Sequence, residues 1–226
     1  MTLTPDDLSV LLLTLRVAAI ATLAILPLGI AAAWILARPW PGRTFVETLL
    51  SLPLVLPPTA VGLLLLEALR KSGPIGRLLD RAGVEVLFTW KAVVVATAVM
   101  SFPLLVRPVR AAFEEIDPRL LAMGRSLGRG PFAVFRRVAL PLAWRGILGG
   151  VLLAFSRALG EFGATIMIAG NIPGRTQTLA LAIFHRTQIG QDASAMRLVG
   201  VVVVIAFAAV WTTELLTRRR VRRTAT

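Results

Sequence analysis

Residues 117–141 read DPRLLAMGRSLGRGPFAVFRRVALP and form a charged, glycine-punctuated insert between two apolar stretches. Asp117 is suited to cap a helix that has Pro118 at its first position, because a carboxylate accepts hydrogen bonds from free N–H groups and proline lacks one. Gly128 is suited to end that helix, since glycine readily adopts the left-handed conformation common at helix C-termini. Helical spacing then predicts one face made of Leu120, Met123, Gly124 and Leu127.

A second short helix is predicted after the corner at Gly130 and Pro131, where proline is again suited to the first helical position. Its large apolar side chains repeat at helical spacing at Phe132, Phe135 and Val138. Two short amphipathic helices joined at a glycine corner are typical of a docking element on a membrane protein.

The composition is that of an integral membrane protein with one membrane domain over residues 1–226. Hydrophobic residues make up 56% of the 226 residues, and the mean hydropathy is +0.78. Twenty-five basic and twelve acidic residues give a net charge of +13. Because the basic residues lie between apolar stretches, membrane topology explains them better than nucleic-acid binding does. Cysteine is absent, which excludes disulfides and thiolate metal sites.

An all-α fold with five spans is predicted, since a membrane-spanning helix needs about 20 mainly apolar residues. The candidate spans are residues 17–37 (extended at the start by 8–15), 48–66, 86–106, 146–169 and 198–216. Residues 178–184 are too short to cross alone and are interpreted as a re-entrant or partial helix, so a sixth span remains an alternative.

The distribution of basic residues predicts the orientation. With the N-terminus outside, the inner segments carry more arginine than the outer ones, as the positive-inside rule requires. Residues 117–141 and the C-terminus are then cytoplasmic. Residues 1–7 carry acids and no basic residue, so a cleavable signal peptide is not expected. The arginine run within 218–223 is interpreted as an anchor in contact with anionic membrane lipid.

The insert resembles the coupling loop of bacterial ABC importer permeases. That pattern is Glu-Ala-Ala, three residues, Gly, nine residues, Ile, one residue, Leu-Pro. Gly128 matches its glycine, Val138 its isoleucine and Leu140-Pro141 its closing pair, whereas Ala122 stands where the family has glutamate. The resemblance implies that residues 117–141, the coupling loop, contact a cytoplasmic ATPase. The residues assigned to this contact are Leu121, Ala122, Gly124, Leu127, Gly128, Pro131 and Phe132.

Residues 156–165, SRALGEFGAT, resemble the signature of molybdate and sulfate permeases, and residues 52–59 and 171–176 are more similar to the molybdate branch. Over residues 8–216 the chain is identified as similar to molybdate ABC transporter permeases. The resemblance implies a homodimer in the bacterial inner membrane, two cytoplasmic ATPase subunits that hold ATP and magnesium, and a periplasmic or extracellular oxyanion-binding protein. A sulfate or thiosulfate permease is the near alternative, and a non-transporting membrane scaffold is a remote one.

No residue set in the sequence is suited to catalysis. A phosphate-cradling loop needs a Gly-Lys pair, but the chain's two lysines, Lys71 and Lys91, do not follow glycine. The single histidine, His185, has no cysteine or acidic cluster near it in the sequence. The sequence therefore predicts no catalytic residue, no metal site and no cofactor bound by this chain.

Arg157 and Glu161 stand four residues apart within an apolar stretch, so they share a helical face. A charge near the bilayer centre costs about 2.5–3.5 kcal/mol on insertion scales, so such groups face a cavity or each other. The pair is interpreted either as part of an anion route or gate, or as a structural ion pair.

Prolines interrupt the span 48–66, and freed backbone at membrane depth is tolerated only where it is buried or lines a cavity. A discontinuous helix that offers donors to an oxyanion and a plain kink are the two alternatives. The residues assigned to the pathway or gate are Arg157, Gly160, Glu161, Thr165, Pro57, Pro58 and Thr59. The turn-forming loop 171–176 is assigned to binding-protein docking through Asn171, Pro173, Gly174 and Arg175.

Overall fold

The computed structural model describes residues 4–218, with side chains described as far as residue 208 and at Trp211. Within that range there are eleven α-helices and one π-helical turn, and no β-strand. The helices are α1 (Pro5–Leu36), α2 (Arg43–Val55), α3 (Pro58–Leu69), α4 (Gly76–Arg81), α5 (Trp90–Glu114), α6 (Pro118–Ser126), α7 (Pro131–Val134), α8 (Leu140–Leu159), α9 (Gly163–Ala169), α10 (Leu179–Gln188) and α11 (Asp192–Arg218), with the π-turn at Phe135–Ala139 between α7 and α8.

By length and composition, three helices can cross a membrane: α1, α5 and the continuous helix Pro131–Leu159, which comprises α7, the π-turn and α8. The pair α2 and α3 makes a fourth if it is counted as one span, although the two helices are bent by 112° at the break between them. The chain is therefore an all-helical, multi-pass membrane protein. The predicted span 198–216 falls within α11, and its side chains beyond Trp211 lie outside the described residues. Residues 219–223 of the predicted lipid anchor also lie outside them.

Two predicted spans are divided in the structure. Residues 48–66 cross the break at Leu56 and Pro57, because a proline pair cannot supply the N–H groups that a continuous helix requires. Residues 146–169 are divided at residues 160–162, between α8 and α9. The predicted short helix at 178–184 is α10, whose ten residues are about half the length that a membrane crossing needs.

Helix α5 lies between α1 and α8 and forms the centre of the bundle. Small residues allow close packing there: a Cβ on Gly150 would lie 2.9 Å from the carbonyl oxygen of Leu105, and one on Gly146 would lie 2.2 Å from the Cβ of Ala112. These glycines therefore pack α8 against α5 within the chain, as small residues do between helices in lipid.

Three buried clusters follow one another along the bundle. The first, around Leu105 and Phe113, lies at the end that carries the coupling loop. The second, around Val93 and Ile168, joins α1, α3, α5 and α9 in the other half. The third joins the start of α1 to α10 and α11 through Val10 and Leu198. The coupling loop and the N-terminus of α1 thus lie at opposite ends of the bundle, which places the functional segments described below.

Candidate coupling and translocation sites

Helix α6 begins and ends as the sequence predicts. Oδ1 of Asp117 accepts a hydrogen bond of 2.8 Å from the N–H of Arg119, and Pro118 is the first helical residue. Gly128 follows the helix at a φ of +72°, the left-handed region that favours glycine. The predicted cap and stop of α6 are confirmed.

The seven residues assigned to the ATPase contact divide into two groups. Leu121 packs against the first buried cluster, and Gly124 faces the second helix, where an added Cβ would lie 3.2 Å from Cγ2 of Val134. These two residues hold α6 against the rest of the chain. The other five are exposed: Ala122, Leu127, Gly128, Pro131 and Phe132.

An exposed apolar face covers the outer side of this segment. The exposed fractions are 43% for Leu120, 62% for Met123, 79% for Leu127 and 74% for Phe132. We call these four residues the α6–α7 face. Leu120 and Met123 belong to this face, although they are absent from the seven residues predicted to contact the ATPase. Their helical spacing with Leu127 is the sequence signal that would have identified them. Large exposed apolar side chains near one another in the sequence are candidates for an interaction site.

The second predicted helix of the coupling loop is continuous with α8 through the π-turn. Three aromatic rings anchor this turn: Trp34 of α1 lies 5.1 Å from Phe113 of α5 and 5.1 Å from Phe135 of the π-turn, centroid to centroid. Such ring pairs stabilise by about 0.5–1.5 kcal/mol beyond their buried area. The rings therefore join the π-turn, and the helix α8 that continues from it, to α1 and α5.

A second site lies where α8 ends and α9 begins. The side chain of Glu161 is 2% exposed in the break between the two helices. Its Oε1 accepts a hydrogen bond of 2.9 Å from the N–H of Ala164, and its Oε2 lies 2.7 Å from Nη2 of Arg157. The predicted pair therefore exists, but Glu161 has a second task that helical spacing could not reveal, which is to cap the N-terminus of α9.

The start of α3 lies against the start of α9. A Cβ on Gly163 would lie 2.7 Å from the Cβ of Pro58 and 3.2 Å from the backbone nitrogen of Thr59. Further along, a Cβ on Gly62 would lie 2.9 Å from the Cα of Ala164. The two short helices therefore run side by side in the same direction, and both helix breaks meet at one place.

Replacing Gly163 by alanine is expected to push α3 and α9 apart, because backbone and a proline ring cannot give way as a flexible side chain can. We expect a loss of about 1–3 kcal/mol of unfolding free energy, typical of overpacking. Gly149→Ala is the matched control, since an added Cβ there meets nothing within 4 Å. Thermal unfolding of the purified variants measures both, and equal midpoints for Gly163→Ala and wild type would contradict the close approach.

The remaining predicted pathway residues differ in exposure. Pro57, Pro58, Thr59 and Gly160 are exposed. Thr165 is fully buried, and its hydroxyl has no hydrogen-bond partner among the described residues. These four residues at the two helix breaks are therefore exposed, whereas Thr165 is buried.

The 171–176 loop lies at the opposite end from the coupling loop. Ile168, three residues before the loop, accepts a hydrogen bond of 3.0 Å through its carbonyl oxygen from the N–H of Phe88, which lies just before α5. Asn171 is half-buried, and its Oδ1 accepts a hydrogen bond of 3.0 Å from Nε2 of Gln177. Three residues remain exposed at the tip of the loop: Pro173, Gly174 and Arg175.

Among residues 4–218 no group of three or more His, Cys, Asp or Glu side chains could hold a metal ion. His185 is half-buried on α10.

Comparison with known proteins gives the family. The model of the family described as "Binding-protein-dependent transport system inner membrane component" matches residues 25–222. The Molybdenum transport system permease protein ModB of Escherichia coli is 44% identical over 96% of this chain and 96% of its own length, and that of Haemophilus influenzae is 39% identical over 94% of each. The Sulfate transport system permease protein CysT of Salmonella typhimurium is 34% identical over 97% of this chain and 79% of its own length.

Among solved structures, a chain of a bacterial alginate ABC transporter in complex with an alginate pentasaccharide-bound periplasmic protein matches with a TM-score of 0.72 and 16% identity, over 96% of this chain and 80% of that chain. This likeness supports the fold. The chain belongs to the family of inner membrane components of binding-protein-dependent transport systems.

Proposed function

We propose that the chain is the transmembrane permease subunit of an ATP-driven importer of molybdate or tungstate, and that two copies form the translocation pathway in the bacterial inner membrane. The exposed α6–α7 face carries the proposal, since it offers a contact for an ATPase on a loop that is packed into three long helices. The substrate is inferred from relatives named as molybdenum transport permeases.

The proposed mechanism is alternating access. Closure of two ATP-bound ATPase subunits draws the two coupling loops together, and the π-turn and its aromatic rings carry this movement to α1, α5 and α8. The bundle then changes from inward-open to outward-open, and hydrolysis resets it. Because a partner shifts an equilibrium only by binding one state better, the α6–α7 face must contact the ATP-bound and ATP-free ATPases differently.

The proposed route for the oxyanion passes the two helix breaks. Pro57 and Pro58 have no N–H, and the N–H groups of Ala60 and Val61 donate to the carbonyl oxygen of Pro57, so the N–H of Thr59 is the one at the start of α3 that is open to an acceptor. Arg157, with 26% of its side chain exposed, supplies positive charge at the second break, where it pairs with Glu161. A route should attract the anion without holding it permanently, and the ion pair with Glu161 moderates the charge of Arg157 in that way.

The proposed topology has the N-terminus outside and the coupling loop in the cytoplasm. The exposed tip of the 171–176 loop, at the opposite end of the bundle, is then the contact for a periplasmic or extracellular oxyanion-binding protein. For the second copy we propose the α2–α3 side, because α2 buries no residue and exposes large apolar groups, with 73% exposure at Phe45 and 80% at Val55. Membrane lipid covers the apolar surface that remains.

The chain is a transport permease and not itself an enzyme. We propose that ATP and magnesium are bound only by the separate ATPase subunits.

The experiment that tests the proposal is ATPase activity in liposomes that contain this chain, its ATPase and its binding protein. We expect molybdate or tungstate, added on the binding-protein side, to stimulate hydrolysis and to be taken up. Stimulation by sulfate alone would instead favour the sulfate permease, which the similarity to CysT keeps as the second candidate. A lack of stimulation by all three anions would contradict the proposal.

A further inference from the structure

A cavity of about 360 Å³ lies between α1, α2 and α5, in the half of the bundle that carries the coupling loop. One wall is apolar and is formed by Leu36, Leu50 and Val106. The other wall is polar and includes Ser51 of α2 and Arg107 of α5. The cavity is distinct from the helix breaks at Pro57 and Glu161, and its volume is at the lower end of the range for small-ligand sites.

Four charged side chains at the polar wall, of which Glu47 and Arg110 line the cavity, neutralise one another. Arg43 donates to both Glu47 and Glu114. Arg110 approaches the same two carboxylates, with Nη1 lying 2.5 Å from Oε1 of Glu47 and Nε lying 3.5 Å from Oε1 of Glu114. Two cations and two anions therefore form a closed network across α2 and α5. Glu47 also lines the cavity, but its charge is already compensated from two sides.

Arg107 adds a charge that this network does not use. Its side chain is exposed, and it forms no ion pair or hydrogen bond with any residue in the described part of the chain. The hydroxyl of Ser51 is likewise without a hydrogen-bond partner among the described residues. The cavity thus presents a free guanidinium and a free hydroxyl beside an ion network that leaves no carboxylate available to pair with Arg107.

We propose that Arg107 and Ser51, with Arg110 beside them, form a site for a tetrahedral oxyanion. A guanidinium offers several N–H donors and no acceptor, which matches the oxygens of a phosphate or a similar dianion. The apolar wall lowers the local dielectric constant and strengthens the charge-assisted hydrogen bonds.

Two sources can supply this chemistry. One is the headgroup phosphate of an anionic lipid, since basic pockets between membrane helices can bind such headgroups. The other is a free oxyanion on its way to the cytoplasm, and this source alone rests on the proposed function.

The test is direct binding to the full-length chain purified in detergent, without ATPase or transport. One arm titrates sodium molybdate by calorimetry. The other arm measures by native mass spectrometry whether phosphatidylglycerol is retained in preference to phosphatidylcholine. The variants are Arg107→Gln and Ser51→Ala, and Arg81→Gln is the control, because it removes the same charge from an exposed residue outside the cavity.

We expect Arg107→Gln to weaken binding about tenfold and Ser51→Ala about threefold, as the loss of a charged and a neutral hydrogen bond implies, with Arg81→Gln unchanged. An effect confined to molybdate identifies the free oxyanion, and one confined to phosphatidylglycerol identifies the lipid. The proposal is overturned if Arg107→Gln binds molybdate and phosphatidylglycerol each with the same affinity as Arg81→Gln does. Because the assay needs no transport, molybdate-stimulated ATPase activity in liposomes can still succeed or fail independently.

Discussion

Glu161→Ala is expected to lower the free energy of unfolding by about 1–3 kcal/mol, because it removes the cap of α9 and leaves the half-buried Arg157 without its ion-pair partner. The carboxylate is 2% exposed, lies 2.7 Å from Arg157 and accepts the hydrogen bond from Ala164 at the start of α9. Alanine removes the charge and the helix cap together. Thermal unfolding of the purified protein measures the stability, and molybdate uptake in liposomes measures the activity.

Glu161→Gln separates these two losses. The glutamine amide oxygen can still accept the hydrogen bond from Ala164, but it carries no charge to pair with Arg157. We therefore expect Glu161→Gln to be destabilised less than Glu161→Ala. A cap by itself stabilises by about 0.5–2 kcal/mol, which is the difference expected between the two variants.

The double variant Arg157→Gln, Glu161→Gln distinguishes a gate from a structural pair. With neither charge present, no unpaired charge is buried, so thermal stability should return close to that of wild type. If Arg157 guides the oxyanion, uptake stays low in spite of this recovery. Recovery of uptake together with stability would show that the pair serves packing alone, and unchanged stability in Glu161→Ala would contradict the burial argument.

Local sequence signals predicted the start and end of α6 well, because each of these features depends on a few neighbouring residues. Asp117 caps α6, Pro118 begins it, and Gly128 ends it in the left-handed region. The π-turn was not predicted, since Phe132 and Phe135 fit an ordinary helix equally well. Its position depends on contacts with Trp34 and Phe113, which lie far away in the sequence.

The candidate pathway was predicted only in part. The proline pair at 57 and 58 indicated a break, and the structure has one with a bend of 112°. The second break was missed because residues 146–169 are apolar enough for a continuous span, and hydropathy does not register a carboxylate that caps a new helix. The contact of Gly163 with Pro58 joins residues about a hundred positions apart, so no periodicity within either segment could predict it.

Leu127→Ser combined with Phe132→Ser is expected to abolish the contact with the ATPase while leaving the permease folded. These side chains are 79% and 74% exposed, so the fold loses little, and surface substitutions usually change stability by about 0.5 kcal/mol or less. Large apolar residues at the centre of an interface often contribute about 2 kcal/mol or more each, which corresponds to roughly a thirtyfold weaker complex per residue.

The matched control is Leu78→Ser, which replaces a side chain of 64% exposure on α4, outside the coupling loop. Thermal unfolding should be similar in all three proteins, whereas co-purification with the ATPase and molybdate uptake should fail only in the double variant. Leu121 and Gly124 are unsuitable for this test because they hold α6 on the bundle. Their replacement would not distinguish loss of ATPase binding from loss of structure. If the double variant binds the ATPase as wild type does, the α6–α7 face is not the coupling surface and the force must enter the bundle elsewhere.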